Sequence, residues 1–240
     1  RSNVLRKLTK YVCSKADLIT VRDTDSVVEL ERIGVDSEKV RLTADAVLTL
    51  AQADKEQGLK LLQGFNVSQD KKVVAISVRS WGSSNKYLQE LAKAADVLAI
   101  QNDVQIVLLP LQYPADVAAC KKLQQFMEQD AIILDAAFDT EQFLALMGNF
   151  SLLIGMRLHA LIFAAVMEVP FIALSYDPKI DGFVKEINGT NIGAIEKFAA
   201  DDLILAAQKT LEFENTGNER LVQLRTKALE NSQLAFELLK

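Results

Sequence analysis

From residue 73 onward, short apolar runs alternate with stretches whose apolar residues recur three and four apart. The runs at 73–79, 104–110, 131–134, 152–154 and 170–175 are almost continuously apolar, as expected of parallel strands covered on both faces. Between and after them, residues 85–100, 115–129, 140–147, 157–168 and 179–187 carry the helical period. Right-handed βα crossovers leave few topologies, and the commonest for five strands is a doubly wound parallel sheet ordered 3-2-1-4-5. In that order ligands bind outside the carboxyl ends of the strands, at the switch point where the winding reverses. Here the switch point falls between the first and fourth strands, whose ends carry Arg79 and the segment from Gly155 to His159.

Residues 1–65 follow another pattern. A helix at 3–14, a strand at 18–21, a helix at 25–33 and the segment VRLTADAVLTL make too few strands for a sheet stable on its own. The fragment reads as the C-terminal part of a truncated N-terminal α/β domain, and the polar stretch QGFNVSQDKK at 63–72 as the join to the next one. Residues 66–215 then form a complete Rossmann-like C-terminal domain. Helices at 199–215 and 219–239 are parted by the breaker Thr216-Gly217-Asn218, so 216–240 reads as a separate C-terminal helix. The chain opens at Arg1 with neither an initiating Met nor a signal-type apolar region, the beginning expected of a sequence taken from inside a longer protein.

Composition narrows the classes. The 240 residues are 50% hydrophobic and 25% charged, enough apolar content for a substantial core. A net charge of −5 offers no basic excess for a phosphate backbone, so nucleic acid is not an expected partner. Cys13 and Cys120 stand far apart, and with one histidine in the chain they build neither a disulfide framework nor a zinc site, so no metal or cofactor is expected and a reducing, cytoplasmic setting fits. The most apolar stretch, 151–176, is interrupted by Arg157, His159 and Glu168. Ten residues separate Arg157 from Glu168 where a membrane span needs about 20, so the stretch reads as buried core.

Candidate chemistry gathers at the expected strand ends. Leu153-Ile-Gly-Met-Arg-Leu-His159 runs from a strand through a glycine turn into a helix, whose free N–H groups and positive dipole suit phosphate or carboxylate. Arg157 adds a bidentate fork there, and His159 an acid/base group. Ser175-Tyr-Asp-Pro-Lys-Ile-Asp-Gly-Phe183 leaves the fifth strand with Asp177 as the natural N-cap, Pro178 near the first helical position and Lys179 in the first turn. Arg79, in Ser77-Val-Arg-Ser-Trp81, stands across the switch point; Ser80, Gly82, Ser83 and Ser84 follow it as a small hydrogen-bonding loop, and Trp81 covers the core. In the front fragment Arg22 and Asp45 stand at strand ends, reaching substrate if that fragment faces a cleft and serving as local salt-bridge and turn residues if it does not; Asp25 or Ser26 is the expected cap of the helix that follows.

The strings TVRDTDS, LTADAVL, ISVRSW and IGMRLHALIFAAVMEVPFIALSYDPKIDGF resemble the polysaccharide pyruvyl transferase family, closest to its bacterial CsaB-type cell-wall members. The resemblance covers nearly the whole chain and begins inside the family's first domain. It implies a two-domain fold of the GT-B type with the active site between the domains. It also implies transfer of the pyruvyl group of phosphoenolpyruvate to a sugar as a cyclic ketal. In CsaB-type members the acceptor is an N-acetylmannosamine unit of a lipid-linked cell-wall polysaccharide precursor, whose ketal anchors surface-layer (S-layer) proteins. On this reading Arg79, Arg157 and Lys179 bind phosphoenolpyruvate, and His159 with Arg157 is catalytic. Arg22, Asp45 and Asp177 are cleft candidates, and the lipid-linked acceptor implies peripheral contact with the inner face of the cell membrane. A glycosyltransferase using a nucleotide-diphosphate sugar, and a non-catalytic anion- or sugar-binding domain, are the competing readings.

Overall fold

A computed structural model of the chain describes residues 2–212 and 219–239. The order begins with α1 (Asn3–Ser14), β1 (Ile19–Val21), α2 (Thr24–Arg32), β2 (Val40–Leu42), a 3-10 turn (Ala46–Thr49) and α3 (Lys55–Gly64). Next come β3 (Val73–Ser77), α4 (Lys86–Gln101), β4 (Gln105–Leu108), α5 (Val117–Phe126), β5 (Ala131–Ile133), α6 (Thr140–Met147), β6 (Leu152–Gly155), α7 (Leu158–Val166), β7 (Phe171–Ser175), α8 (Pro178–Glu186) and β8 (Thr190–Ala194). Helices α9 (Ala200–Glu212) and α10 (Glu219–Glu237) follow.

The chain forms two compact units. One holds the residues through Leu50 together with α10, and the other runs from Ala51 through α9. In the first, β1 and β2 pair in parallel as a two-stranded sheet. Asp23 caps α2, accepting from the Ser26 N–H at 2.7 Å, which displaces the expected cap from Asp25 or Ser26. Helix α10 belongs to this unit because its polar side chains satisfy the backbone around the 3-10 turn. Arg225 donates to the carbonyls of Leu48 at 3.1 Å and Leu50 at 2.9 Å, and Asn231 donates to that of Ala44 at 3.0 Å. The expected separate helix at 216–240 is thus part of the first unit, and the breaker 216–218 lies outside the described residues.

The second unit is a six-stranded all-parallel sheet ordered β5-β4-β3-β6-β7-β8. Counted from β3, its first five strands stand in the expected order 3-2-1-4-5, and β8 is an added edge strand. Strand β3 (VVAIS) is buried along its whole length, as the centre of a doubly covered sheet requires. Val74, Ile76, Ile106, Leu108, Ile154 and Ile172 share one cluster with Leu88, Leu91 and Leu98 of α4 and Leu203 of α9. The apolar stretch at 151–176 is β6, α7 and β7; all of α7 but His159 is buried, and no helix among the described residues is long and apolar enough to cross a membrane.

The boundary expected at residue 65 falls instead between Leu50 and Ala51, because α3 packs on α6 of the second unit. The Asn149 amide ties the two helices, donating to the Lys55 carbonyl at 2.9 Å and to the Ala145 carbonyl at 2.8 Å. Ahead of α3, Gln52 donates to the Val166 carbonyl at 3.2 Å.

Candidate active site

The strand register sets the site. Ser77 of β3 pairs with Gly155 of β6, and Gly155 with Ala173 of β7, so β3 and β6 reach their carboxyl ends at one level and β7 runs two residues further, to Ser175. Winding reverses between β3 and β6. Leu161 of α7 packs closely over Gly155: a Cβ there would lie 2.9 Å from Leu161 Cδ2, and that side chain would have to shift. Beside it, the Ser77 hydroxyl is buried with no hydrogen-bond partner.

Two residues beyond Ser77 the chain has left the strand, and Arg79 is positioned by contacts from elsewhere. The Tyr87 hydroxyl on α4 donates to the Arg79 carbonyl at 2.9 Å and accepts from the Trp81 N–H at 3.2 Å, pinning the turn from both sides. Burial pushes that hydroxyl's pKa up, against the opposing pull of the Trp81 N–H and the Arg79 charge. The Arg79 side chain reaches across to the end of β7. Its Nη1 donates to the Tyr176 hydroxyl at 3.0 Å, and its Cζ stands 5.1 Å from the Tyr176 ring centroid. Its Nε is buried without a partner.

Lys179 comes to the same ring, its Nζ 5.9 Å from the centroid and 3.4 Å from Asp177 Oδ2. Asp177 is the N-cap of α8, accepting from the Lys179 N–H at 3.1 Å, with Pro178 in the first helical position. Trp81 lies against Tyr176 with ring centroids 4.6 Å apart, while its Nε1 donates to Glu196 at 2.9 Å and holds that carboxyl below its ordinary range.

On the neighbouring strand end, Arg157 is the N-cap residue of α7 and is ion-paired through Nη2 with Asp116, a carboxylate only 2% exposed. Asp116 also accepts from the Gln112 N–H at 2.9 Å. Because β3 lies between β4 and β6, this pair joins the connections that leave the two strands flanking it. The Nε of Arg157 is buried and unpartnered. His159, two residues on, is exposed, and its ring makes no hydrogen bond or ion pair among the described residues.

Of the expected site residues, Arg79 and Lys179 thus meet at one aromatic ring, while Arg157 stands on the adjacent strand end, tied to Asp116, with His159 beside it. Arg22 and Asp45 pair with each other at 2.5 Å in the first unit, and Asp45 caps the 3-10 turn by accepting from the Val47 N–H at 3.1 Å. They serve there as salt-bridge and turn residues. The sequence reading assigned no role to Tyr176, Tyr87, Asp116 or Glu196. Tyr176 stood inside the string SYDPK, directly after a strand end, which is the signal that could have drawn attention to it. Among the described residues no three His, Cys, Asp or Glu side chains group to hold a metal ion.

This fold, a doubly wound sheet with cations at its switch point, is that of a GT-B-like domain. HepE of Anabaena, solved in complex with UDP and glucose, superposes at a TM-score of 0.62 with 16% identity over 100% of this chain and 68% of its own. The UDP-GlcNAc 2-epimerase of Methanocaldococcus jannaschii superposes at 0.66 with 16% identity over 97% of this chain and 65% of its own. At the level of sequence, the family model for polysaccharide pyruvyl transferase matches residues 1–178, and the chain belongs to that family. The amylovoran biosynthesis protein AmsJ of Erwinia amylovora is 24% identical over 217 residues, 83% of this chain. The chain spans about half the length of that relative, 52%.

Proposed function

We propose that the protein transfers the pyruvyl group of phosphoenolpyruvate to two hydroxyls of a sugar, forming a cyclic ketal and releasing inorganic phosphate. The observation that carries this reading is the level row Ser77, Gly155 and Ala173, which sets Arg79 and Arg157 on adjacent strand ends and gives Lys179 a place on the ring that Arg79 also meets. Phosphoenolpyruvate brings a phosphate and a carboxylate, and these cations offset their mutual repulsion and orient them.

The reaction balances with the protons of the two hydroxyls. One proton ends on the methylene carbon, which becomes a methyl group and leaves C2 electron-poor. The first hydroxyl oxygen bonds to C2. The bond from C2 to the phosphate oxygen then breaks, its electron pair leaving with phosphate, and the second hydroxyl closes the ketal. The remaining proton leaves with the phosphate. His159 is assigned the proton transfer: its imidazole delivers to the methylene carbon and recovers a proton from the attacking hydroxyl, and it is exposed to reach both. Arg157 steadies the departing phosphate with the N–H groups that Asp116 leaves free.

The acceptor we assign is N-acetylmannosamine of a lipid-linked cell-wall precursor, met at the inner face of the cell membrane. The membership of AmsJ in amylovoran biosynthesis supports a polysaccharide acceptor. A second reading, a glycosyltransferase using a nucleotide-diphosphate sugar, has one observation in its favour, the UDP held by HepE. Incubation of the full-length protein and acceptor with phosphoenolpyruvate or with UDP-sugars, followed by ³¹P NMR, separates the two. Free phosphate from phosphoenolpyruvate with a new ketal methyl signal is expected; UDP release instead would overturn the reading. His159→Ala should lower turnover by about 10²–10⁴-fold with the circular dichroism spectrum unchanged. Near-normal turnover of that variant removes His159 from the mechanism.

A further inference from the structure

The three cations of the site differ in what holds them. Arg157 is held by the buried carboxylate of Asp116, and Lys179 by Asp177 at 3.4 Å, so part of each charge is already opposed. Arg79 meets no carboxylate among the described residues, and its side-chain partner is a neutral phenol, reached through the 3.0 Å hydrogen bond and through the ring face. A guanidinium held in this way keeps its whole charge for a ligand, yet is not free to swing.

We propose that Tyr176 is a positioning residue: its hydroxyl and ring hold Arg79 at the carboxyl ends of β3 and β7, with Lys179 on the same ring, so that both cations meet one phosphate group. The role rests on the phosphoenolpyruvate reading for the identity of the ligand, and on the geometry alone for its action on a phosphate dianion. The surroundings agree with a fixed ring. Trp81 lies 4.6 Å from it and is itself anchored to Glu196, and Tyr87 pins the Arg79 backbone from the far side. Tyr176 therefore closes a frame in which the main chain and the side chain of Arg79 are held by two different tyrosines.

Two substitutions grade the effect. Tyr176→Phe removes the hydroxyl and keeps the ring, and Tyr176→Leu removes both. Inorganic phosphate is the probe, measured by isothermal titration calorimetry on the full chain. Its Kd should rise about 3–10-fold in Tyr176→Phe and further in Tyr176→Leu, with the melting temperature of Tyr176→Phe unchanged. In an Arg79→Met background the Tyr176→Phe change should have no further effect, because the hydroxyl acts through the guanidinium. Under turnover with phosphoenolpyruvate, KM should follow the phosphate Kd while kcat changes by less than about 2-fold. An unchanged phosphate Kd in Tyr176→Phe, or an equal loss with and without Arg79, overturns the assignment, whether or not pyruvyl transfer is observed. If the phosphate effects appear and no pyruvyl transfer does, the positioning role stands and the phosphoenolpyruvate reading falls.

Discussion

Gly58→Ala tests whether the second unit holds α3 as closely as its packing indicates. In an open helix interior the change stabilises, because alanine is the better helix former by about 1 kcal/mol. Here the added Cβ would lie 2.0 Å from the Ala145 carbonyl oxygen, 2.4 Å from its carbon and 2.5 Å from Asn149 Nδ2. The first two are backbone atoms of α6 and cannot rotate away. Ordinary contact begins at 3.4 Å, so the helices must part by about 1.4 Å along that direction. Parting them strains the packing, at roughly 1–3 kcal/mol, and stretches the Asn149 hydrogen bond to the Lys55 carbonyl, worth about 1 kcal/mol. After the propensity gain is set against this, the net loss is about 1–3 kcal/mol.

Trp81 is the single tryptophan and sits in the second unit, so its fluorescence during urea unfolding reports the unit that Gly58 belongs to. Gly182→Ala is the control. It makes the same change inside α8, where a Cβ meets nothing within 4 Å, and should stabilise by about 0.5–1 kcal/mol. If Gly58→Ala unfolds at the wild-type urea concentration or above it, the close approach of α3 to α6 is wrong, and with it the domain boundary at Leu50.

Two further outcomes follow from the titratable groups. The Glu196 carboxyl is held below its ordinary value of 4.5 by the Trp81 N–H, so its contribution is present above that value and lost as pH falls through the lower folded-state value; the Trp81 emission should therefore shift with a midpoint below 4.5, and Glu196→Gln should abolish that step. The Cys120 thiol is pushed up to about 12, first by burial and then by the charges of Asp116 and Asp135, whereas Cys13 is half-buried, so a thiol reagent at pH 8 should modify one cysteine of the native protein and two of the unfolded protein.

The strand order was legible because each central strand is a continuous apolar run and right-handed crossovers permit few arrangements. Strand β8 was not, since TNIGA has no apolar run, carries a glycine at φ +92°, and pairs with β7 through a register shift. At the edge of a sheet only one side needs a partner, and a strand can form there with little apolar signal. The boundary failed for a related reason. The polar stretch at 63–72 looks like a linker, yet α3 packs on α6, and the glycine and asparagine at their close approach do not advertise a contact about ninety residues away.

The site divides the same way. The placement of Arg79, Arg157 and Lys179 just past strand ends was legible because each follows a strand that the apolar pattern identifies. Their partners were not, because a partner is a property of the register between strands. Asp116 lies at the start of the helical stretch 115–129, whose period says nothing of a partner, and only the order β4-β3-β6 shows that its connection can reach that of Arg157. The consequence reaches past assignment. Three cations that look equivalent in the sequence have unequal charge to offer, since Asp116 opposes Arg157 from a buried position, Asp177 opposes Lys179 from a half-exposed one, and Tyr176 leaves Arg79 unopposed. Arg79 therefore has the most to give an anion and Arg157 the most fixed geometry; on the reading proposed above, that division suits Arg79 to capture the donor and Arg157 to hold it in register with His159.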